Sequence, residues 1–202
     1  MAIKAVFFDL FGVYLKYTNN EISLGLIRQI LQDDQLRELV FDYERGKVPL
    51  NRMPELALVS HPALKHVEDW EMARVEEIVD GNDPTIERAV RKLKEAGFKV
   101  GLFCNNGFWT EARKRSMIPE DLRLFDAVVE SCRIGLRKSD PESYHVAARA
   151  IGCRPAECVL VDDSRLNVEG AEREGMVGIH QNGEDSEAAV AQLERLLGCS
   201  LH

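Results

Sequence analysis

Ala5-Val6-Phe7-Phe8 is an unbroken apolar run, and it ends on Asp9. A strand with no polar alternation is buried on both faces, as in a parallel sheet covered by helices. Further strands, mostly apolar, are expected at residues 100–104, 125–130, 158–161 and 176–180. Between them the apolar positions recur at helical spacing. Residues 85–95 place Ile86, Val90 and Leu93 on one face before Gly97, and further helices are expected at 108–116, 141–151, 167–174 and 186–197. Repeated strand–helix units with short connections imply an α/β fold, a doubly wound, Rossmann-like parallel sheet with helices on both faces.

One stretch breaks the rhythm. From about residue 20 to 79 the chain shows helical periodicity (Ile22, Leu26, Ile30; later Trp70, Val75, Ile78) and no convincing strand. Roughly 65 residues is far beyond an ordinary strand-to-helix loop. The expected organisation is an α/β core of residues 1–16 and 81–202, with a helical cap of residues 17–80 inserted after the first strand. Placed there, the cap would sit over the carboxyl edge of the sheet as a lid and govern substrate choice.

Composition narrows the function class. The 202 residues carry 34 acidic and 26 basic side chains, a net charge of −8. That balance argues against non-specific binding to nucleic acid or an anionic membrane, both of which need basic patches. No apolar run approaches the roughly 20 residues of a bilayer span, and the first strand begins too early for a signal peptide. Cys104, Cys132, Cys153, Cys158 and Cys199 lack zinc-type spacing and read as reduced thiols. A cytoplasmic protein is expected; a homodimer is left open.

Parallel sheets of this type place ligands at the carboxyl ends of their strands. Four such ends carry polar residues: Asp9, then Cys104-Asn105-Asn106, then Arg137-Lys138 in the loop after the third strand, then Asp162-Asp163-Ser164. Each has a bland reading. Asp9 could cap a turn, Asp163 or Ser164 could cap the next helix, Lys138 could be solvated, and Cys104-Asn105 could be a mere strand end. Read together, adjacent carboxylates at one edge repel, so they need a cation or remain partly protonated; together with Asp9 they could form a hard-oxygen site for Mg²⁺.

This ordered set resembles the haloacid dehalogenase-like hydrolases over essentially the whole chain. Their first motif matches Asp9-Leu10-Phe11-Gly12-Val13, the second Phe103-Cys104-Asn105, the third Lys138-Ser139-Asp140-Pro141, and the fourth Val161-Asp162-Asp163-Ser164. Glu130-Ser131-Cys132-Arg133-Ile134-Gly135 is similar to the subgroup containing the amino-terminal phosphatase domain of soluble epoxide hydrolases. The resemblance implies Asp9 as nucleophile and Lys138 as the charge-neutralising cation. It implies Mg²⁺ held by Asp9, the backbone carbonyl of Phe11 and Asp163 with Asp162 beside it, and Cys104, Asn105 and Asn106 holding the oxygens of a small phosphorylated or other anionic substrate. Phe11 stands where phosphatases of the family usually carry an acid–base aspartate, and Cys104 where they carry Ser or Thr. A Mg²⁺-dependent phosphatase is the leading expectation; a weak or inactive member that binds a ligand or protein is the second. A 2-haloacid dehalogenase comes last, because those enzymes lack the paired acids.

Overall fold

A computed structural model describes residues 2–17, 32–60, 79–119, 121–182 and 185–202. Five parallel strands form the central sheet: β1 (Ala5–Phe8), β4 (Lys99–Cys104), β5 (Ala127–Glu130), β6 (Cys158–Asp162) and β7 (Val177–His180), in the order β5-β4-β1-β6-β7. β1 is central because its side chains are apolar on both faces. Val6 and Phe8 pack with Ile86, Val90 and Leu93 of α3 (Pro84–Glu95) and with Val190 and Leu193 of α7 (Ser186–Leu197). Ala5 and Phe7 face the other way, against Tyr144, Ala147 and Ala148 of α5 (Pro141–Ala150) and Ala171 of α6 (Arg165–Arg173). On that second face Gly101 is the register partner of Phe7, and a Cβ there would occupy the space of the Phe7 ring. The ring instead meets Phe103 edge-on at 6.2 Å, and Phe103 meets Tyr144 at 5.8 Å.

The insertion has a structured stem. β2 (Leu15–Tyr17) and β3 (Val79–Asn82) pair antiparallel, so the chain leaves and re-enters the core through a two-stranded ribbon. Neither strand is expected from the sequence: both lie at the margins of the helically periodic stretch of about 20–79, and three or four residues are too few for alternation to register as a strand signal. Asp83 ends the ribbon and caps α3, accepting from the backbone N–H of Thr85 and Ile86 at 2.8 and 3.1 Å. Within the insertion, α1 (Asp34–Glu44) and α2 (Met53–Ser60) pack together, joined by a 3₁₀ turn at Leu50–Arg52. The periodic positions Ile22, Leu26, Ile30, Trp70, Val75 and Ile78 lie outside the described residues.

The helix expected at 108–116 does not form. Phe108 and Ser116 bridge antiparallel, and Trp109 N–H donates to Arg115 O at 3.0 Å. The carbonyls of Phe108 and Trp109 accept from Leu50 and Asn51 of the insertion at 2.8 and 3.1 Å. Backbone groups that a helix would pair internally are bonded across the chain, and Arg113 turns the loop with a left-handed φ of 52°. Phe108 is buried here, and Trp109 packs against Tyr43, Leu50 and Met53, a small apolar cluster that joins insertion to core. A short helix, α4 (Ser131–Ile134), follows β5 directly.

Candidate active site

Strand register builds the site. Phe8 pairs with Val161 across β1 and β6, so the next residues, Asp9 and Asp162, emerge side by side at the carboxyl edge. Asp9 N–H extends the ladder to Val161 O at 2.9 Å. Asp163 follows, and carboxylate oxygens of Asp9, Asp162 and Asp163 lie within 4.8 Å of one another.

Lys138 completes the cluster. Its ammonium is 2.6 Å from Asp9 Oδ1 and 2.5 Å from Asp162 Oδ2, and it donates to Phe103 O at 3.1 Å. The side chain is 1% exposed, so it is not the solvated lysine of the bland reading. Burial alone would lower its pKa, but the Asp162 and Asp9 carboxylates reverse that and hold it charged. Burial pushes Asp9 up to about 8; Lys138 opposes the shift, and Asp162 and Asp163 add to it. Burial likewise carries Asp163 to about 6, with Asp162 reinforcing.

Asp162 is fully engaged. Its Oδ1 accepts from Ser164 N–H at 2.9 Å and from Asn167 Nδ2 at 3.0 Å, while Oδ2 faces Lys138. Asp162 thus orients the lysine, leaving Asp9 and Asp163 as the carboxylates with fewer protein partners. With all three acids ionised beside one lysine the site would carry two uncompensated negative charges, which one divalent cation would cancel. The all-oxygen donor set is the kind that Mg²⁺ takes. The residues present fit that ion.

The second strand end is divided. Asn105 Oδ1 accepts from Lys138 N–H at 2.8 Å, fixing the loop that carries the lysine. Asn106 is turned to other partners: its N–H donates to Ser131 Oγ at 2.9 Å, its Nδ2 to Glu130 at 3.0 Å, and its Oδ1 faces the Cys132 thiol at 3.2 Å. The Cys104 thiol is buried beneath the sheet edge, 3.8 Å from Val129 O, and burial raises its pKa well above the ordinary thiol value. Of the three residues expected to hold substrate oxygens, the structure brings only Asn105 against the lysine loop.

The sequence pattern of the haloacid dehalogenase-like hydrolases matches residues 3–175. The chain belongs to that family. It is 31% identical over 123 residues to bifunctional epoxide hydrolase 2 of Sus scrofa, a match covering 59% of this chain and 22% of that one. Over 120 residues it is 32% identical to mouse acyl-CoA dehydrogenase family member 10, covering 59% of this chain and 11% of that much longer protein. A sesquiterpene phosphatase, astK of Aspergillus oryzae, is 29% identical over 202 residues and 97% of each chain. Among solved structures, an enzyme of the family from Bacteroides thetaiotaomicron superposes with a TM-score of 0.69 at 20% identity, covering 93% of this chain and 98% of that one. That enzyme was also solved with magnesium and inorganic phosphate.

Three neighbours of this haloacid dehalogenase-like site are not marked by its motifs. His180, level with Asp162 on β7, places Nε2 3.0 Å from Asp163 O. Gln181 donates to Gly12 O at 3.3 Å and to Ser186 Oγ, which in turn donates to Asp83 Oδ2 at 2.5 Å. Tyr17, on β2, lays its ring over Gly12 beside the Asp163 carboxylate. The first two could be sought from strand register; Tyr17 depends on the path of the ribbon.

Gly12 itself has φ 79°, and a Cβ there would collide with the Asp163 carboxylate and the Tyr17 ring. Gly12→Ala is expected to destabilise the fold by about 1–3 kcal/mol. Because the collision falls on Asp163, it should also weaken Mg²⁺ binding, read by calorimetry. Wild-type affinity in a folded Gly12→Ala protein would contradict this placement of Asp163.

Proposed function

We propose that this hydrolase is a Mg²⁺-dependent phosphatase acting on a small phosphorylated metabolite. The observation that carries the reading is the carboxylate triad Asp9, Asp162 and Asp163 gathered around the buried Lys138 ammonium. The magnesium and phosphate in the Bacteroides relative and the phosphatase activity in the name of the Aspergillus relative support it.

Asp9 is the nucleophile in this reading. A carboxylate oxygen bonds to phosphorus, the bond from phosphorus to the leaving oxygen breaks, and that oxygen departs with the electron pair and takes a proton from water. Water then attacks phosphorus, releasing inorganic phosphate and restoring the carboxylate. Lys138 neutralises charge on the transferred group and holds Asp9 in line. Asp9, Asp163 and the Phe11 carbonyl would hold Mg²⁺, with Asp162 beside them and bonded to the lysine. When bound, the ion supplies the positive charge that screens the nucleophile from an anionic substrate.

Phe11 is half-buried against the core and offers no proton. Losing a general acid–base costs about 10²–10⁴-fold in rate, roughly 3–5 kcal/mol of barrier. An aryl phosphate bypasses most of that cost in the first step, because its leaving group needs little protonation. The test is Mg²⁺-dependent hydrolysis of 4-nitrophenyl phosphate and of an alkyl phosphate by wild type and Phe11→Asp. Wild type is expected to prefer the aryl ester, and Phe11→Asp to gain roughly 10²-fold or more on the alkyl ester.

Phe11 and the buried Cys104 together favour one other reading, a member that binds a ligand or partner without turnover. Absence of any wild-type hydrolysis, with activity appearing only in Phe11→Asp, would select it.

A further inference from the structure

The loop carrying Lys138 is held from two sides. From the core, Asn105 Oδ1 accepts the Lys138 N–H, and the Tyr144 hydroxyl donates to the Lys138 carbonyl. From the insertion, the last turn of α1 presents Glu44 and its C-cap Arg45. Arg137 Nε donates to Glu44 Oε2 at 2.6 Å, and Arg45 reaches Asp140 through Nη2 at 2.9 Å and Nε at 3.3 Å. The Arg137 guanidinium also lies 3.6 Å from the centroid of the Phe41 ring on α1.

Charge order makes this contact specific. Glu44-Arg45 meets Arg137 and Asp140, acid to base and base to acid, so a slip of one residue would set like charges together. The Arg137 and Glu44 side chains are 13% and 17% exposed, sheltered enough to be screened less than surface pairs. Arg137 and Asp140 are themselves tied into a turn: Asp140 Oδ2 accepts Arg137 N–H at 3.0 Å, and Asp140 N–H donates to Arg137 O at 2.8 Å. Lys138 lies inside that turn. The ends that the insertion grips are the two residues that set the lysine's backbone.

We propose that Arg137 and Asp140 are positioning residues through which the seating of α1 sets the placement of the Lys138 ammonium against Asp9 and Asp162. The link to rate rests on the phosphatase reading; the link between α1 and the lysine loop does not. Withdrawal of α1 would release both ends of the turn together, so the cation would be fully placed only while the insertion is seated.

The test compares wild type with Glu44→Arg, Arg137→Glu and the double reversal. Hydrogen exchange is followed in peptides spanning residues 34–45 and 132–140, and 4-nitrophenyl phosphate hydrolysis is measured alongside. Each single reversal is expected to speed exchange in both peptides and to lower kcat roughly tenfold with KM changed far less. The double reversal should recover most of both losses. Faster exchange confined to residues 34–45, with residues 132–140 and kcat at wild-type values, would overturn the proposal. If a reversal prevents folding, Glu44→Gln and Arg137→Gln carry the same expectation at smaller amplitude. If wild type hydrolyses no phosphate, the phosphatase reading fails alone, and exchange at residues 132–140 still decides the coupling.

Discussion

Asp9→Asn is expected to abolish Mg²⁺-dependent phosphate hydrolysis, by at least about 10³-fold, while making the metal-free protein more stable at neutral pH. The loss follows because an amide oxygen cannot form the ester with phosphorus. The gain follows from the site's electrostatics. Burial raises Asp9 from 3.8 to about 8, so between those values the folded chain holds a proton that the unfolded chain has released. The folded state then binds more protons, and rising pH works against folding through this group. Asparagine removes that titration and still offers Lys138 an oxygen to bond. Thermal denaturation of both proteins without metal, from pH 4 to pH 8, should show the variant's advantage growing as pH rises. A constant offset would mean that Asp9 is ionised at no cost in the fold.

Lys138→Met should be the most damaging single change to the metal-free fold. The side chain is nearly isosteric, so packing is kept, but two buried carboxylates lose their common cation. Breaking a buried pair by removing one partner costs about 3–5 kcal/mol. For a chain of this size that corresponds to roughly 6–20 °C in Tm. The acids can escape part of the penalty by taking up protons, so the deficit against wild type should be smaller at pH 5 than at pH 8. Added Mg²⁺ should narrow it, since a dication also compensates the carboxylates. Turnover should not return, because the ion does not replace the lysine's contact with the transferred group. Equal Tm for the two proteins at pH 8 would show that the acids do not depend on Lys138.

Asp9, Lys138, Asp162 and Asp163 were legible because a parallel sheet leaves little freedom at strand ends. Once 5–8 and 158–161 are read as buried strands of one parallel sheet, the residues that follow them reach the same carboxyl edge; that β1 and β6 are neighbours is decided by the structure. Cys104 and Asn106 show where that logic stops. Strand-end position says which edge a residue reaches, but not whether a side chain rotates towards the ligand or into the gap between strands. Cys104 and Asn106 find partners in Val129, Glu130, Ser131 and Cys132, contributed by β5 and the start of α4. The 108–116 segment went astray for a related reason: its spacing suits a helix, yet bonds to Leu50 and Asn51 win.

By itself the sequence determined the α/β fold and the family, and it marked the four charged groups that the structure brings together. These depend on local periodicity and on residues adjacent to strands, and both survive in a linear string. Only tertiary structure decided that Asp162 serves the lysine while Asp163 faces Gly12, that Tyr17 covers that glycine, and that Glu44 and Arg45 grip the turn around Lys138. The Glu44–Arg137 and Arg45–Asp140 pairings join residues 93 and 95 positions apart. Charge alone cannot select them from among 34 acids and 26 bases; the seating of α1 against the sheet edge does.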